Sequence, residues 1–180
     1  MFSDRLHAYL RALAGPRAHR TGPFLASFDA HDAGLYRNYA VPDDGADPTP
    51  HQVAELITAF TDRDRVPRLE YLPALSPAVE LGLLTAGFVP ERRLPILTCQ
   101  PTDTVAPSVI AGIEISLATS DEQFRQVAEA QGEAYEQPET TDHDVARQRG
   151  TVEGGGLVAL ARDTATGRGV GGGLCAPPHD

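Results

Sequence analysis

Leu157–Asp180, LVALARDTATGRGVGGGLCAPPHD, reads as strand, turn, strand. Leu157 to Ala161 is a short apolar run closed by Arg162 and Asp163, and Thr166-Gly167 supplies a turn. Val170 to Ala176 resumes as an apolar, glycine-loosened second strand. A hairpin buries little by itself and needs further strands or a helix to cover it. Either the preceding residues supply that cover or the natural protein is longer. The expectation is that it is longer.

Working outward, Ile113, Ile115 and Leu117 alternate with Glu114 and Ser116, the pattern of a half-buried strand. Ser120 and Gln123 form a capping box, and Phe124, Val127, Ala128 and Tyr135 mark the apolar face of the helix that follows. Pro138 and Thr140–Thr141 break that helix. A shorter one is expected from Asp142 to about Arg149, with Gly154–Gly156 opening the hairpin. The order over residues 113–180 is therefore strand, helix, helix, strand, strand.

Upstream, PTDTVAPSV has two prolines, small polar residues and no periodicity, so residues 101–112 read as a linker. Before it, Leu6, Tyr9, Leu10 and Leu13 predict a helix from Asp4 to Ala14, stopped by Gly15-Pro16. Strands are expected at Phe24–Phe28 and Leu35–Val41. Thr49, Pro50 and Gln52 then make a capping box with proline at the first helical position, and Val53, Leu56, Ile57 and Phe60 form the stripe of a second helix. Leu69–Leu72, a helix from Ser76-Pro77 to Gly87, and Leu94–Cys99 read as β-α-β. Glu70 and Tyr71, on the first of these strands, read as packing residues.

Composition narrows the chemistry. All fifteen basic residues are arginine, so a Walker A lysine and a pyridoxal Schiff-base lysine are both excluded. The net charge of −10 divides unevenly: ten Arg against twelve acids in 1–100 and five against thirteen in 101–180, or −2 and −8. Such a surface repels phosphate backbones, so nucleic acid is not an expected partner. The acidic second half suits either a cationic, amine-bearing substrate or solubility alone. Neither a membrane span nor a signal peptide is visible, which leaves a cytoplasmic location as the default. Cys99 and Cys175 lack CxxC spacing and read as buried thiols in a reducing compartment, and the six scattered His residues give no metal site.

The strand-helix-helix-strand-strand order, with its Thr-Gly turn, resembles the opening of a GCN5-related N-acetyltransferase (GNAT) domain. Residues 1–100 resemble a diverged half of the same type, with Leu69–Cys99 similar to the closing β-α-β of that fold. The resemblance implies an α/β (α+β) architecture: a mixed sheet flanked by helices, in tandem, the second unit incomplete. It also implies transfer of an acetyl group from acetyl-CoA, as co-substrate, to a small-molecule or peptide amine. The family holds the coenzyme A pyrophosphate with Arg/Gln-x-x-Gly-x-Gly/Ala ahead of a helix, where open backbone amides converge.

Arg168, Gly171 and Gly173 match that text, but LCAPPHD follows where a helix is needed, so a turn and strand is the competing reading. Gly167, Gly169 and Gly172 satisfy G-x-G-x-x-G with no helix after them, and Arg147-x-x-Gly150 is a nearer miss. Glu133, Tyr135 and Glu136 fall where the family's first helices line the acceptor pocket. They are the candidates for holding a cationic amine; the competing reading makes Tyr135 core and the carboxylates a solvated face. The resemblance places the family's proton-transfer residues beyond Asp180, so no catalytic residue is assigned.

The leading expectation is an acetyltransferase fragment with little activity alone. A non-catalytic GNAT-like module that binds a small molecule or a partner chain, or forms a homodimer through its exposed final strand, is the alternative. An unrelated α+β domain is the third reading, to be established by a structure in which Leu69–Cys99 does not fold as β-α-β.

Overall fold

The protein, seen as a computed structural model, is described over residues 2–15, 18–105, 108–137 and 139–178. Pro16 and Pro138, read above as helix stops, lie outside these residues. The chain forms two compact units, Met1–Ile96 and Leu97–Asp180.

In the first unit, helix α1 (Phe2–Ala12) precedes an antiparallel sheet of β1 (His19–Thr21), β2 (Phe24–Ser27) and β3 (Tyr39–Pro42) in that spatial order. β1, too short to show a period, goes unseen in the sequence, and Leu35–Arg37 is a 3-10 turn where a strand was expected to begin. Helices α2 (Pro50–Thr61) and α3 (Pro77–Thr85) follow. The α2 capping box forms as read: the Thr49 hydroxyl accepts from the Gln52 N–H, and the Gln52 side chain accepts from the Thr49 N–H at 2.9 Å. Val53, Leu56 and Phe60 from α2 are fully buried against Phe24, Ala26 and Ala40 of the sheet and Val79 of α3. Phe28 packs edge-on to Phe60 with centroids 4.8 Å apart.

Two expectations for this unit fail. Helix α1 forms two residues off the expected bounds; it fully buries His7, while Leu6, Tyr9 and Leu10 of the expected stripe are only half-buried and Leu13, past its end, is 46% exposed. Leu69–Cys99 does not close as β-α-β. Among the described residues only Leu69 bridges, in parallel, to Ala40, and 94–100 show no strand pairing; Leu97 is 90% exposed. A strand needs a neighbouring edge for its N–H and C=O groups, and Pro95 has no N–H to offer one.

The second unit has the expected order: β4 (Ile113–Leu117), α4 (Asp121–Ala134), α5 (Asp142–Glu153), β5 (Leu157–Asp163) and β6 (Gly169–Cys175). Its sheet is antiparallel, β4-β5-β6, with a bulge at Ala161/Arg162. Ser120 and Gln123 box the start of α4, and Thr141 with Asp144 box α5, a cap the sequence reading treated only as a break. Phe124, Val127 and Val145 cover Val158 and Leu160 of β5.

Two of the three apolar residues of β4 are not covered as the alternation predicts. Ile115 is 63% and Leu117 55% exposed. They stand opposite Ala161 and Ala159 on the face away from Val158 and Leu160, because both helices pack on the other side. Both cysteines are free and exposed, not buried.

Candidate functional site

The last turn of α4 and the first residues of β6 enclose a depression of about 320 Å³, lined by Ala130, Glu133, Ala134, Arg168, Gly169 and Val170. Two candidates from separate motifs meet here: Arg168 Nη2 donates to Glu133 Oε2 at 2.5 Å. Sequence could not join them, since they stand thirty-five positions apart. The arginine also sits beside the C-terminal end of α4, where the helix dipole favours a cation. Both side chains are about two-thirds exposed, so the pair is a surface ion pair that adds little to stability. Its chemical value is a carboxylate and a guanidinium side by side, each free to exchange its partner for a ligand of opposite charge.

Arg168 is placed by the tight turn before it. Asp163 Oδ1 accepts from the Ala165 and Thr166 N–H groups at 2.8 and 2.9 Å, and those bonds hold its carboxyl below the usual range. Gly167, at φ +72°, takes the left-handed position that closes the turn.

Tyr135 and Glu136 lie just past the depression. Tyr135 is 73% exposed at the C-cap of α4, which corrects both its place on the apolar helix face and the reading of it as core. Glu136 has φ +51°; its N–H points to the Glu133 carbonyl, and the Gln137 N–H to that of Gly132 at 2.9 Å. This is a Schellman ending with glutamate where glycine is usual. Glu133 therefore joins Arg168, while Tyr135 and Glu136 are set by the helix stop.

The β6 glycines have a packing role. A Cβ at Gly172 would stand 2.6 Å from Val127 Cγ1, and one at Gly169 3.0 Å from Gln126 Cβ. Helix α4 thus lies on β6 too closely for any side chain at those positions. Gly171 and Gly173 face the other way, opposite Ala161 and Ala159. Residues 176–178 form no helix, so Arg168, Gly171 and Gly173 do not build the helix-led amide cradle that a pyrophosphate requires. Among the described residues no three His, Cys, Asp or Glu side chains gather as a metal site, and no helix is long and apolar enough to cross a membrane.

Polar clusters in the first unit include one around Arg68 and one around His7. Arg68, 15% exposed, bonds Glu70 at 2.5 Å and Glu91 at 2.9 Å and lies over the Tyr36 ring. Burial pushes the Arg68 guanidinium down, but the two carboxylates outweigh it and hold it above its ordinary value. Tyr71, read as packing, does pack against the core, and burial raises its phenol. The fully buried His7 meets Asp44 through Nδ1, and Arg11 reaches the same carboxylate at 2.8 Å, tying α1 to the loop after β3. Nothing in the sequence pattern marks this histidine.

No family model and no curated protein matches the chain. A solved structure does: a GCN5-related N-acetyltransferase from Kribbella flavida superposes with a TM-score of 0.71 at 22% identity, over 99% of this chain and 68% of that one. The fold is that of a GCN5-related N-acetyltransferase. The acetyltransferase fold thus extends through both units, although Leu69–Cys99 lacks the strands expected of it. Leu69–Cys99 does fail to fold as β-α-β, the outcome named above for an unrelated α+β domain, yet the likeness over 99% of the chain gives the acetyltransferase fold.

Proposed function

We propose that this chain carries part of an N-acetyltransferase that moves an acetyl group from acetyl-CoA to an amine. The single observation behind this reading is the fold likeness to a GCN5-related N-acetyltransferase over 99% of the chain. In such a reaction the amine, once neutral, attacks the thioester carbonyl; the new N–C bond replaces the C–S bond, the amine proton passes to a base, and the coenzyme leaves as thiolate, which takes up a proton to become the thiol. The tandem arrangement, a diverged first half and a second half that opens an acetyltransferase domain, belongs to the same proposal, as does a cytoplasmic setting.

Glu133 would attract the cationic amine into the depression beside Arg168, with Tyr135 and Glu136 at its rim. The strand-bound Gly171 and Gly173 are given no phosphate, so the coenzyme would be held by groups outside this set. Fragment status is supported by the sheet face of Ile115, Leu117 and Leu157, each more than half exposed. Large apolar side chains on a sheet call for a covering layer.

The test is calorimetric titration of acetyl-CoA into the 180-residue chain, paired with mass-spectrometric detection of acetylated spermidine and of an acetylated peptide amine. Little binding and no product are expected of the chain alone, with both restored in a longer gene product. Stoichiometric binding by the chain alone overturns the fragment reading. Failure of the longer product to bind overturns the acetyltransferase reading. The second reading, a non-catalytic module engaging a small molecule or partner chain, is favoured by the Arg168–Glu133 pair, in which each candidate neutralises the other.

A further inference from the structure

The ion pair between α4 and β6 leaves most of its bonding capacity open. The contact from Arg168 Nη2 to Glu133 Oε2 occupies one of the guanidinium's five N–H donors and one carboxylate oxygen. The other donors and Glu133 Oε1 have no partner among the described residues. Ala130, Ala134, Gly169 and Val170 complete the lining, so one positive and one negative charge stand side by side with no third charge on the walls. At about 320 Å³ the depression is at the low end of small-molecule sites, about 300–1,000 Å³. Other arginines of the second unit are used elsewhere. Arg125 and Arg149 join the two helices through Asp142 and Asp121, Arg147 holds Asp144 on its own helix, and Arg162 reaches Gln126.

We propose that this depression takes a zwitterion, and that the acetyl acceptor is a small α-amino acid. That the ligand is the acceptor rests on the acetyl-transfer reading; that it is a zwitterion rests on the lining. An α-amino acid carries its ammonium and carboxylate on one carbon, as close together as the charges of Glu133 and Arg168. Laid head to tail against the pair, its carboxylate takes the open donors of the guanidinium and its ammonium takes Glu133 Oε1. The four charges then alternate. A simple amine or a polyamine would gain Glu133 but sit beside Arg168, and a simple carboxylate would meet the converse; like-charge juxtaposition opposes both. The C-terminal end of α4 adds its own preference for the ammonium. Both side chains are about two-thirds exposed, so they are free to part around the ligand, and solvent keeps the affinity weak.

The probe is L-alanine, titrated by NMR into the 15N-labelled 180-residue chain with no coenzyme present. Saturable amide shifts within 130–136 and 167–170 are expected. Ethylamine, which is alanine without its carboxylate, and propionate, which is alanine without its ammonium, should each bind at least tenfold more weakly. Arg168→Gln should abolish the preference for alanine over ethylamine, and Glu133→Gln the preference over propionate, with the thermal unfolding midpoint unchanged in both. Absence of shifts, shifts centred elsewhere, equal binding of ethylamine, or preferences that survive both substitutions overturn the inference. Acetylation of ethylamine and not of alanine by the longer gene product also overturns it, while the acetyl-transfer reading stands. Failure of that product to bind acetyl-CoA overturns the acetyl-transfer reading instead, and leaves the alanine shifts as the measure of the zwitterion site.

Discussion

In the first unit, helices α2 and α3 bury a sheet through the aromatic pair Phe28–Phe60 and the fully enclosed Phe24 and Leu56. In the second, α4 and α5 bury one sheet face through Val158 and Leu160 and leave Ile115 and Leu117 on the other. The first gains cohesion from large side chains. The second gains it from closeness, since glycine in β6 lets α4 approach where a methyl group would collide. Similar layering therefore rests on different residue sizes, and the second unit keeps an apolar face that the first does not display in its sheet.

The comparison can be broken first at Phe60. Phe60→Ala should cost about 3–5 kcal/mol, read as a lower midpoint in urea unfolding, because it removes a fully buried ring and its Phe28 contact. A loss under 1 kcal/mol would show that the first core is not the tight one. In the second unit the corresponding weak point is an addition: Gly172→Ala should cost about 1–3 kcal/mol by forcing Val127 and α4 away from β6. An unchanged midpoint would mean that α4 does not lie that close. Glu136→Gly should stabilise by up to about 1 kcal/mol, since glycine takes the left-handed C′ position of the α4 stop without strain.

A pH experiment sharpens the first unit's side. Hydrogen bonds from Arg11 and then from His7 hold Asp44 below the usual carboxylate range. With the folded value depressed, the stabilisation is complete above the unfolded value near 3.9 and is lost as pH falls through the folded value. The midpoint gap between the native chain and Asp44→Asn should therefore be present at pH 6 and narrow on acidification below pH 4. A constant gap would remove Asp44 from the acid response. The smallest effect is expected at Leu117→Thr, within about 0.5 kcal/mol, because the side chain is largely exposed and threonine keeps strand propensity. A cost above 1 kcal/mol would show that this face is covered in solution.

Sequence made local features legible. The Thr49–Gln52 and Ser120–Gln123 boxes, the Thr166-Gly167 turn and the order of the second unit all depend on residues a few positions apart, and periodicity or caps report them directly. The candidate site was legible only in pieces. Glu133 and Arg168 were each visible, but their ion pair requires β5 and β6 to fold back along α4. The burial of His7 left no signal, because a polar residue on a helix is ordinarily a solvated one.

Amino-acid order alone settled which segments become helix and which become hairpin in the second unit, since those choices follow from caps, turns and backbone propensity within a few residues. Tertiary structure alone decided which face of β4 is covered, that the apolar run at 94–99 finds no strand partner among the described residues, and that the β6 glycines serve packing. The reason is the same in each case. Burial and strand pairing depend on what lies across the chain, and an apolar or glycine-rich pattern records readiness for a neighbour without naming it.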